Sequence, residues 1–354
     1  TGSLSIATNP DRLIHIRRQA SLSRAFGIGA EEIPAAEASG KWPLMRSNDV
    51  IGAVHSPSDG RVSPSDICAA LVKGATSRGL RVFEDTPVTG IRTQNGRVAA
   101  VQTAQGEITC ESIINCAGLW GHRIAGMAGV AAPLHACEHF YIVTEPMEGL
   151  SNELPVMRVP DEHAYYKEDA GKILLGAFEP VAKPWGGDGI PEDFCFDELP
   201  GDFEHFQPVL EQAMYRMPAL EQAGIQKFFC GPESFTPDDR YHIGQSAELD
   251  NLYIAAGFNS IGIQSAGGVG KVIAEWMRDG RPPVDLWEVD VRRNIPFQNN
   301  RAYLRDRVTE GLGLLYAMHW PFRQFATSRG VRRSPFHDRL AEANACFGEV
   351  AGWE

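Results

Sequence analysis

Residues 251–280 read NLYIAAGFNSIGIQSAGGVGKVIAEWMRDG, and this stretch decides the fold. Leu252, Tyr253 and Ile254 form a short apolar run of strand formers, after which Ala255, Ala256 and Gly257 reduce the side chains to almost nothing. Gly262, Gly267, Gly268 and Gly270 follow, and Val272, Ile273, Trp276 and Met277 then recur at helical spacing. Arg278 stands in the last turn and Gly280 ends the run, as a helix C-terminus requires. The order is strand, glycine-rich loop, helix. Such a loop lets backbone N–H groups come close to a ligand, and the helix N-terminus favours an anionic or electron-rich group. A tight packing corner with no ligand would show the same glycines, so glycine content alone leaves both readings open.

The chain around this stretch has 354 residues, 43% hydrophobic and 22% charged, enough for two domains and a core of ordinary globular composition. A net charge of −12 argues against nucleic acid or an anionic membrane as partner. No stretch is apolar for long enough to span a bilayer, and the N-terminus is no signal peptide. Seven cysteines without CxxC spacing are expected to be reduced, mostly buried thiols. That expectation places the chain in the cytoplasm, or in the mitochondrial matrix of a eukaryote.

Before the opening stretch, residues 1–7 suggest a strand, and Asn9-Pro10-Asp11 a helix start continued by Leu13, Ile16 and Ala20. Residues 30–38 suggest a second short helix, and 51–62 a strand running into a turn. Ser63-Pro64-Ser65-Asp66 is a helix start with a hydroxyl cap and proline at the first position. Ile67, Leu71, Val72 and Ala75 should be its buried stripe. Strands are expected at 81–84 and, as a meander, at 88–92, 98–103 and 107–110. Residues 112–118 (SIINCAG) read as a buried parallel strand whose tip exposes backbone, the place where ligands bind in open α/β sheets. Residues 138–144, 164–167, 172–178 and 194–196 alternate like antiparallel strands, and 203–217 is an amphipathic helix. A strand at 227–233 and a helix near 302–314 complete the pattern, ahead of an aromatic and arginine-rich stretch from 316 to 354.

GPESFTPD (residues 231–238) and AGFNSIGI (residues 256–263) closely resemble the flavin-contacting segment of the D-amino-acid-oxidase-like amine oxidoreductases. Within these the chain looks most like the dimethylglycine and sarcosine dehydrogenase branch. The resemblance covers nearly the whole chain and implies α/β plus α+β architecture. An incomplete Rossmann-like FAD-binding domain would carry an inserted antiparallel-sheet substrate domain and a C-terminal linker domain. The implied divisions are 1–45 (substrate-domain strand and helices), 46–120 and 229–283 (FAD-binding parts), 121–228 (substrate domain) and 284–354 (linker). The linker would precede a folate-binding, aminomethyltransferase-like domain, with tetrahydrofolate a ligand of the full-length protein. The family's first GxGxxG unit is not found; Gly27 and Gly29 lack the preceding strand and the third glycine. The chain therefore reads as a member without its first strand-loop-helix unit.

FAD is the cofactor this resemblance implies. Matching positions assign cofactor contacts to Val88, Ala117, Gly118 and Trp120, and to Gly257, Phe258, Asn259, Ser260, Ile261 and Gly262. For catalysis they assign His139, to take the proton of the amine or orient it, and Tyr165, to hydrogen-bond amine or carboxylate. From residue type alone a lone histidine on a strand such as His139 is more often structural than catalytic, and period-2 alternation puts only one of Tyr165 and Tyr166 on the pocket face. Lys167 stands where family members carry arginine and is left out of the site. The implied reaction is oxidative demethylation of an N-methylglycine-type amine, dimethylglycine or sarcosine. Electrons would pass on to oxygen or to an electron-transfer flavoprotein. The rival readings are a glycine or D-amino acid oxidase and a non-catalytic flavoprotein remnant acting as a scaffold. No metal-ligand spacing, GxSxG, Walker or HExxH pattern is present.

Overall fold

The computed structural model describes residues 1–319 and 323–354; Trp320, Pro321 and Phe322 of the aromatic C-terminal stretch lie outside the described residues. The chain begins with β1 (Ser3–Ala7), α1 (Pro10–Ala25), β2 (Glu31–Ile33), α2 (Ala35–Lys41), β3 (Gly52–Ser56) and α3 (Pro64–Thr76). A meander of β4 (Val88–Gln94), β5 (Arg97–Thr103) and β6 (Gly106–Thr109) leads to β7 (Ile113–Asn115) and α4 (Gly121–Met127). Then come β8 (His135–Thr144), β9 (Val156–Val159), β10 (Ala164–Glu168), β11 (Ile173–Ala177), β12 (Pro184–Trp185), α5 (Phe203–Arg216) and β13 (Ile225–Phe235). The chain closes with β14 (His242–Gln245), β15 (Leu252–Ala256), α6 (Gly262–Asp279), α7 (Arg301–Leu314) and α8 (His337–Glu342). The fold is mixed α/β with several sheets.

The largest sheet has nine strands in the order β12-β8-β11-β10-β9-β1-β3-β2, with β13 along the other side of β8. Only β1 and β9 run parallel; the rest are antiparallel. Period-2 alternation gives its two faces different chemistry. Leu4, Ile6, Phe140, Ile142, Met157, Tyr166 and Leu175 point to one side and join Trp42, Phe206, Val209 and Ala213 in the main core, under α2 and α5. The opposite side carries His139, Tyr141, Arg158 and Tyr165. Arg216 pins this half: its fully buried guanidinium lies 2.8 Å from Asp49 and 2.5 Å from Glu162. β1 and β3 pair along their whole length, so the boundary expected at residue 46 falls between two strands that the sheet joins.

A second sheet, β14-β15-β7, pairs β15 parallel to β7, and the meander forms the third. Local signals set these ends as the residues suggest. Ser63 accepts the Asp66 N–H at the start of α3. Gly280, at φ 70°, closes α6 with its N–H on the Trp276 carbonyl.

Several expectations fail. Residues 30–38 are not one helix: Glu31–Ile33 pairs with β3 as β2, because an edge was open there, and α2 starts only at Ala35. Residues 81–84 and 194–196 form no strand; each lacks a partner edge, and Phe196 is fully exposed. The α3 stripe is uncovered, with Leu71 60% and Val72 45% exposed, since no described element packs over it. Ile114 in β7 is likewise 43% exposed, so that parallel strand is covered on one side only. The cysteines are all free thiols, but only Cys137 and Cys230 are buried.

Candidate active site

β7 and β15 lie side by side and parallel, with Ile254 opposite Asn115, so their carboxyl ends open onto one edge. The expected contacts Ala117, Gly118 and Trp120 leave the first strand and Gly257–Gly262 the second. Asn115 shapes the first turn: its amide donates to the Gly121 carbonyl (2.8 Å) and its oxygen accepts from the Ala117 N–H (3.2 Å). Gly118 takes φ 52°, and a Cβ built there would meet nothing within 4 Å. In the second turn Gly257, Asn259 and Ser260 all have positive φ (69°, 48° and 66°), a run that side chains other than glycine and asparagine resist. Asn259 is buried and holds the loop to the end of β13 by accepting the Thr236 N–H at 2.9 Å. Tyr241 stacks on Phe258, with ring centroids 5.2 Å apart.

Gly257 owes its identity to packing. A Cβ there would lie 2.4 Å from Leu134 Cδ2 and 2.6 Å from Thr236 Cγ2, so the loop is pressed against the segment entering β8. Ile261 occupies the N-cap of α6 and offers no capping side chain. The amides of the first turn, from Gly262 on, therefore keep their donors, beside an exposed Ser260 and a half-exposed Ile263. In the first turn the Ala117 and Trp120 N–H groups are taken by Asn115 Oδ1 and the Ala117 carbonyl, so it offers the open backbone at Gly118; with the uncapped first turn of α6 beside it, this fits the edge and phosphates of a flavin nucleotide. Val88 opens β4 in a different sheet; that strand reaches this region by packing on α4.

His139 and Tyr165 come together on the large sheet. His139 Nε2 is 3.2 Å from the Tyr165 hydroxyl, with the two rings nearly parallel. Their strands are separated by β11, and Gly176 on β11 stands opposite Tyr165 in register. The Tyr165 ring lies across that glycine: a Cβ on Gly176 would fall 2.0 Å from Tyr165 Cζ. Gly231 of β13 faces His139 from the other side. Tyr166 turns the opposite way, fully buried and edge-on to Trp42. Burial holds the Tyr165 hydroxyl well above its usual range, so it stays protonated. His139 Nδ1 is buried and has no hydrogen-bond partner among the described residues. When Nε2–H donates to Tyr165, Nδ1 presents a lone pair, the form able to take a proton.

Sequence reasoning missed the aromatic surround. Phe178 lies 5.2 Å from the His139 ring and 5.4 Å from Tyr165, and Tyr316 lies 4.7 Å beyond it. Tyr141 stacks on Phe229 two residues along β8. Alternation along β8 would have put Tyr141 beside His139; nothing in the sequence joins Tyr316 to them. His242, given little weight from its position in the sequence, is fully buried opposite Ala256 with both ring nitrogens unpartnered among the described residues. Burial drives its pKa down to about 3, so it is neutral. Among the described residues no cluster could hold a metal ion, and no helix is long and apolar enough to cross a membrane.

Known proteins resemble the chain over its whole length. The chain is 42% identical to 4-methylaminobutanoate oxidase (formaldehyde-forming) of Paenarthrobacter nicotinovorans over 100% of its length and 43% of the relative's. It is 36% identical to mouse mitochondrial sarcosine dehydrogenase over 100% of the chain and 39% of that protein. It is 37% identical to the mouse mitochondrial pyruvate dehydrogenase phosphatase regulatory subunit, again over 100% of the chain and 40% of the relative. The chain thus spans about two fifths of these relatives. The crystal structure of L-proline dehydrogenase from P. horikoshii superposes with a TM-score of 0.73 at 26% identity, covering 83% of this chain and 76% of that one. Residues 279–334 match the FAD dependent oxidoreductase central domain. With residues 1–276 matching the family described as FAD dependent oxidoreductase, the chain belongs to that family, and FAD is its cofactor.

Proposed function

We propose that this chain is the flavin-bearing part of an enzyme that oxidatively demethylates an N-methylamino acid. The turns at 117–120 and 257–262 hold FAD, and His139 with Tyr165 meets the amine. Bound FAD supplies the two-electron acceptor for oxidation of the carbon–nitrogen unit. The chain's own groups have three tasks. The amine must be neutral when its C–H bond breaks, and His139 Nδ1 takes the ammonium proton. Tyr165 fixes the tautomer by accepting from Nε2–H. Phe178 and Tyr316 keep water from the pair.

The observation that carries this reading is the His139–Tyr165 hydrogen bond with its unpartnered Nδ1. Two relatives named for N-methylated amino acids support the substrate class. Tetrahydrofolate, and oxygen or an electron-transfer flavoprotein as final acceptor, belong to the proposal for the complete protein. A second reading, a flavoprotein scaffold without catalysis, is favoured by the similarity to a regulatory subunit.

Anaerobic mixing of the FAD-loaded protein with sarcosine, dimethylglycine, 4-(methylamino)butanoate, glycine and D-alanine separates the readings. Loss of oxidised-flavin absorbance with the N-methylated amines is the expected result. Reduction by glycine or D-alanine alone would replace the substrate class. No reduction by any amine would leave the scaffold.

A further inference from the structure

Glu233 stands on β13 between the two halves of the candidate site. In the β8–β13 ladder Gly231 is directly opposite His139 and Glu233 is opposite Cys137, so Glu233 shares the His139 face, one diagonal step away. Diagonal neighbours on one face are about 7–8 Å apart at the backbone, within reach of two long side chains. In the other direction β13 ends at Phe235, and the next residue, Thr236, donates its N–H to Asn259 of the second turn assigned to FAD. The strand also packs against residues 118–120 of the first such turn. The Glu233 carboxylate therefore belongs to the stretch that joins the reacting pair to both turns.

Its charge is unmatched. Burial and then Glu233 are the foremost influences that keep the Tyr165 hydroxyl protonated, so the carboxylate acts on the reacting pair directly. Burial, Glu179, Glu233 and Glu138 together raise the Cys137 thiol. Of these three acids, Glu179 has His205 at 3.2 Å and Glu138 has Lys183 at 3.1 Å. Glu233 pairs with no cation among the described residues, and its enclosed Oε2 has no hydrogen-bond partner there. An enclosed carboxylate oxygen without a donor is unfavourable, and a cation brought by the ligand relieves it. Two acceptors on one sheet face are then open, His139 Nδ1 and Glu233 Oε2. Two acceptors about 2.8 Å from one tetrahedral nitrogen stand about 4.5 Å apart, a span that diagonal side chains can set. A secondary ammonium has two N–H bonds to offer them; a tertiary ammonium has one.

We propose that Glu233 binds the substrate amine opposite His139, and that the two together select secondary N-methylamines over N,N-dimethylamines. This rests on the function proposed above. One ammonium proton passes to His139 Nδ1, and the remaining N–H donates to Glu233. Loss of hydride from the methyl group to FAD turns the nitrogen lone pair into a C=N bond and leaves a positive charge on nitrogen, which the Glu233 carboxylate offsets. The test uses FAD-loaded wild type and Glu233→Gln. Calorimetry on dithionite-reduced protein, which can no longer take hydride, reads binding of N-methylglycine, N,N-dimethylglycine and methoxyacetate, whose ether oxygen replaces the amine. Wild type should bind N-methylglycine about 10-fold or more tightly than N,N-dimethylglycine. Glu233→Gln should weaken N-methylglycine about 10- to 100-fold, narrow the gap between the amines and leave methoxyacetate within about 2-fold. Its limiting rate of anaerobic flavin reduction by N-methylglycine should also fall about 10-fold or more, with FAD content intact. Equal binding of the two amines by wild type, wild-type amine affinity in Glu233→Gln, or equal weakening of methoxyacetate overturns the assignment. Failure of both amines to reduce wild-type flavin, with N-methylglycine binding still lost in Glu233→Gln, would reject the reaction and retain the cation site.

Discussion

Replacing Gly176 by alanine puts a methyl group where the Tyr165 ring already lies. The new Cβ would sit 2.0 Å from Cζ, 2.1 Å from the hydroxyl and 2.4 Å from Cε1. Carbon atoms prefer about 3.5–4.0 Å, so the ring must retreat by roughly 1.5 Å or β11 must part from β10. Gly176 does not have a positive φ, so the effect is steric and not a backbone penalty. Overpacking of this kind costs about 1–3 kcal/mol. The hydrogen bond to His139 is already 3.2 Å long, and the same retreat takes it out of range. Denaturant unfolding of Gly176→Ala, Tyr165→Ala and the double variant should give a coupling of about 1–3 kcal/mol, because removing the ring makes room for the methyl. Flavin reduction in Gly176→Ala should slow to the rate of Tyr165→Phe. Wild-type stability together with a wild-type reduction rate would refute the claim that Tyr165 crosses β11 to reach His139.

Gly257→Ala meets both Leu134 and Thr236 and must hold a left-handed φ, so it should lose about 2–4 kcal/mol and shed FAD; unchanged flavin content on gel filtration would contradict this placement. His139→Ala should slow anaerobic flavin reduction by about 100-fold or more with FAD content intact, whereas equal rates in stopped flow would make His139 structural. His242 titrates near 3 when folded, against 6.5 for a free histidine, so between these values the unfolded chain binds more protons and stability falls as the pH drops. From pH 7 to pH 5 this one group should remove about 2 kcal/mol, and His242→Leu should abolish that part of the acid sensitivity in urea melts.

Much of this architecture is legible in the residues because its signals are local. The Ser63 cap, the small residues after Ile254 and the glycine stop at 280 each act within a turn or two, and each forms as read. What is not legible depends on partners distant in the chain. Leu71 and Val72 have the spacing of a buried stripe, yet burial requires a second surface, and no described element supplies one. Residues 30–38 have helical composition, but the open edge of β3 captured three of them. Alternation alone left Tyr165 and Tyr166 unresolved; the glycine at 176 decides between them, and its role appears only when β10 and β11 are paired.

The central claim is one of position: FAD sits between the amides at 259–262 and the sheet face bearing His139. The loop is tied to the end of β13 at Thr236, and His139 lies four residues into β8. A crystal structure of the FAD-loaded protein tests this most directly. The account predicts the flavin ring edge within hydrogen-bonding distance of the amides of residues 259, 260 and 262, the Ile261 amide being held by the Phe258 carbonyl, with His139 Nδ1 aimed at the substrate space over its face. A ring bound elsewhere, or His139 turned into the core with Nδ1 satisfied by protein, would contradict it.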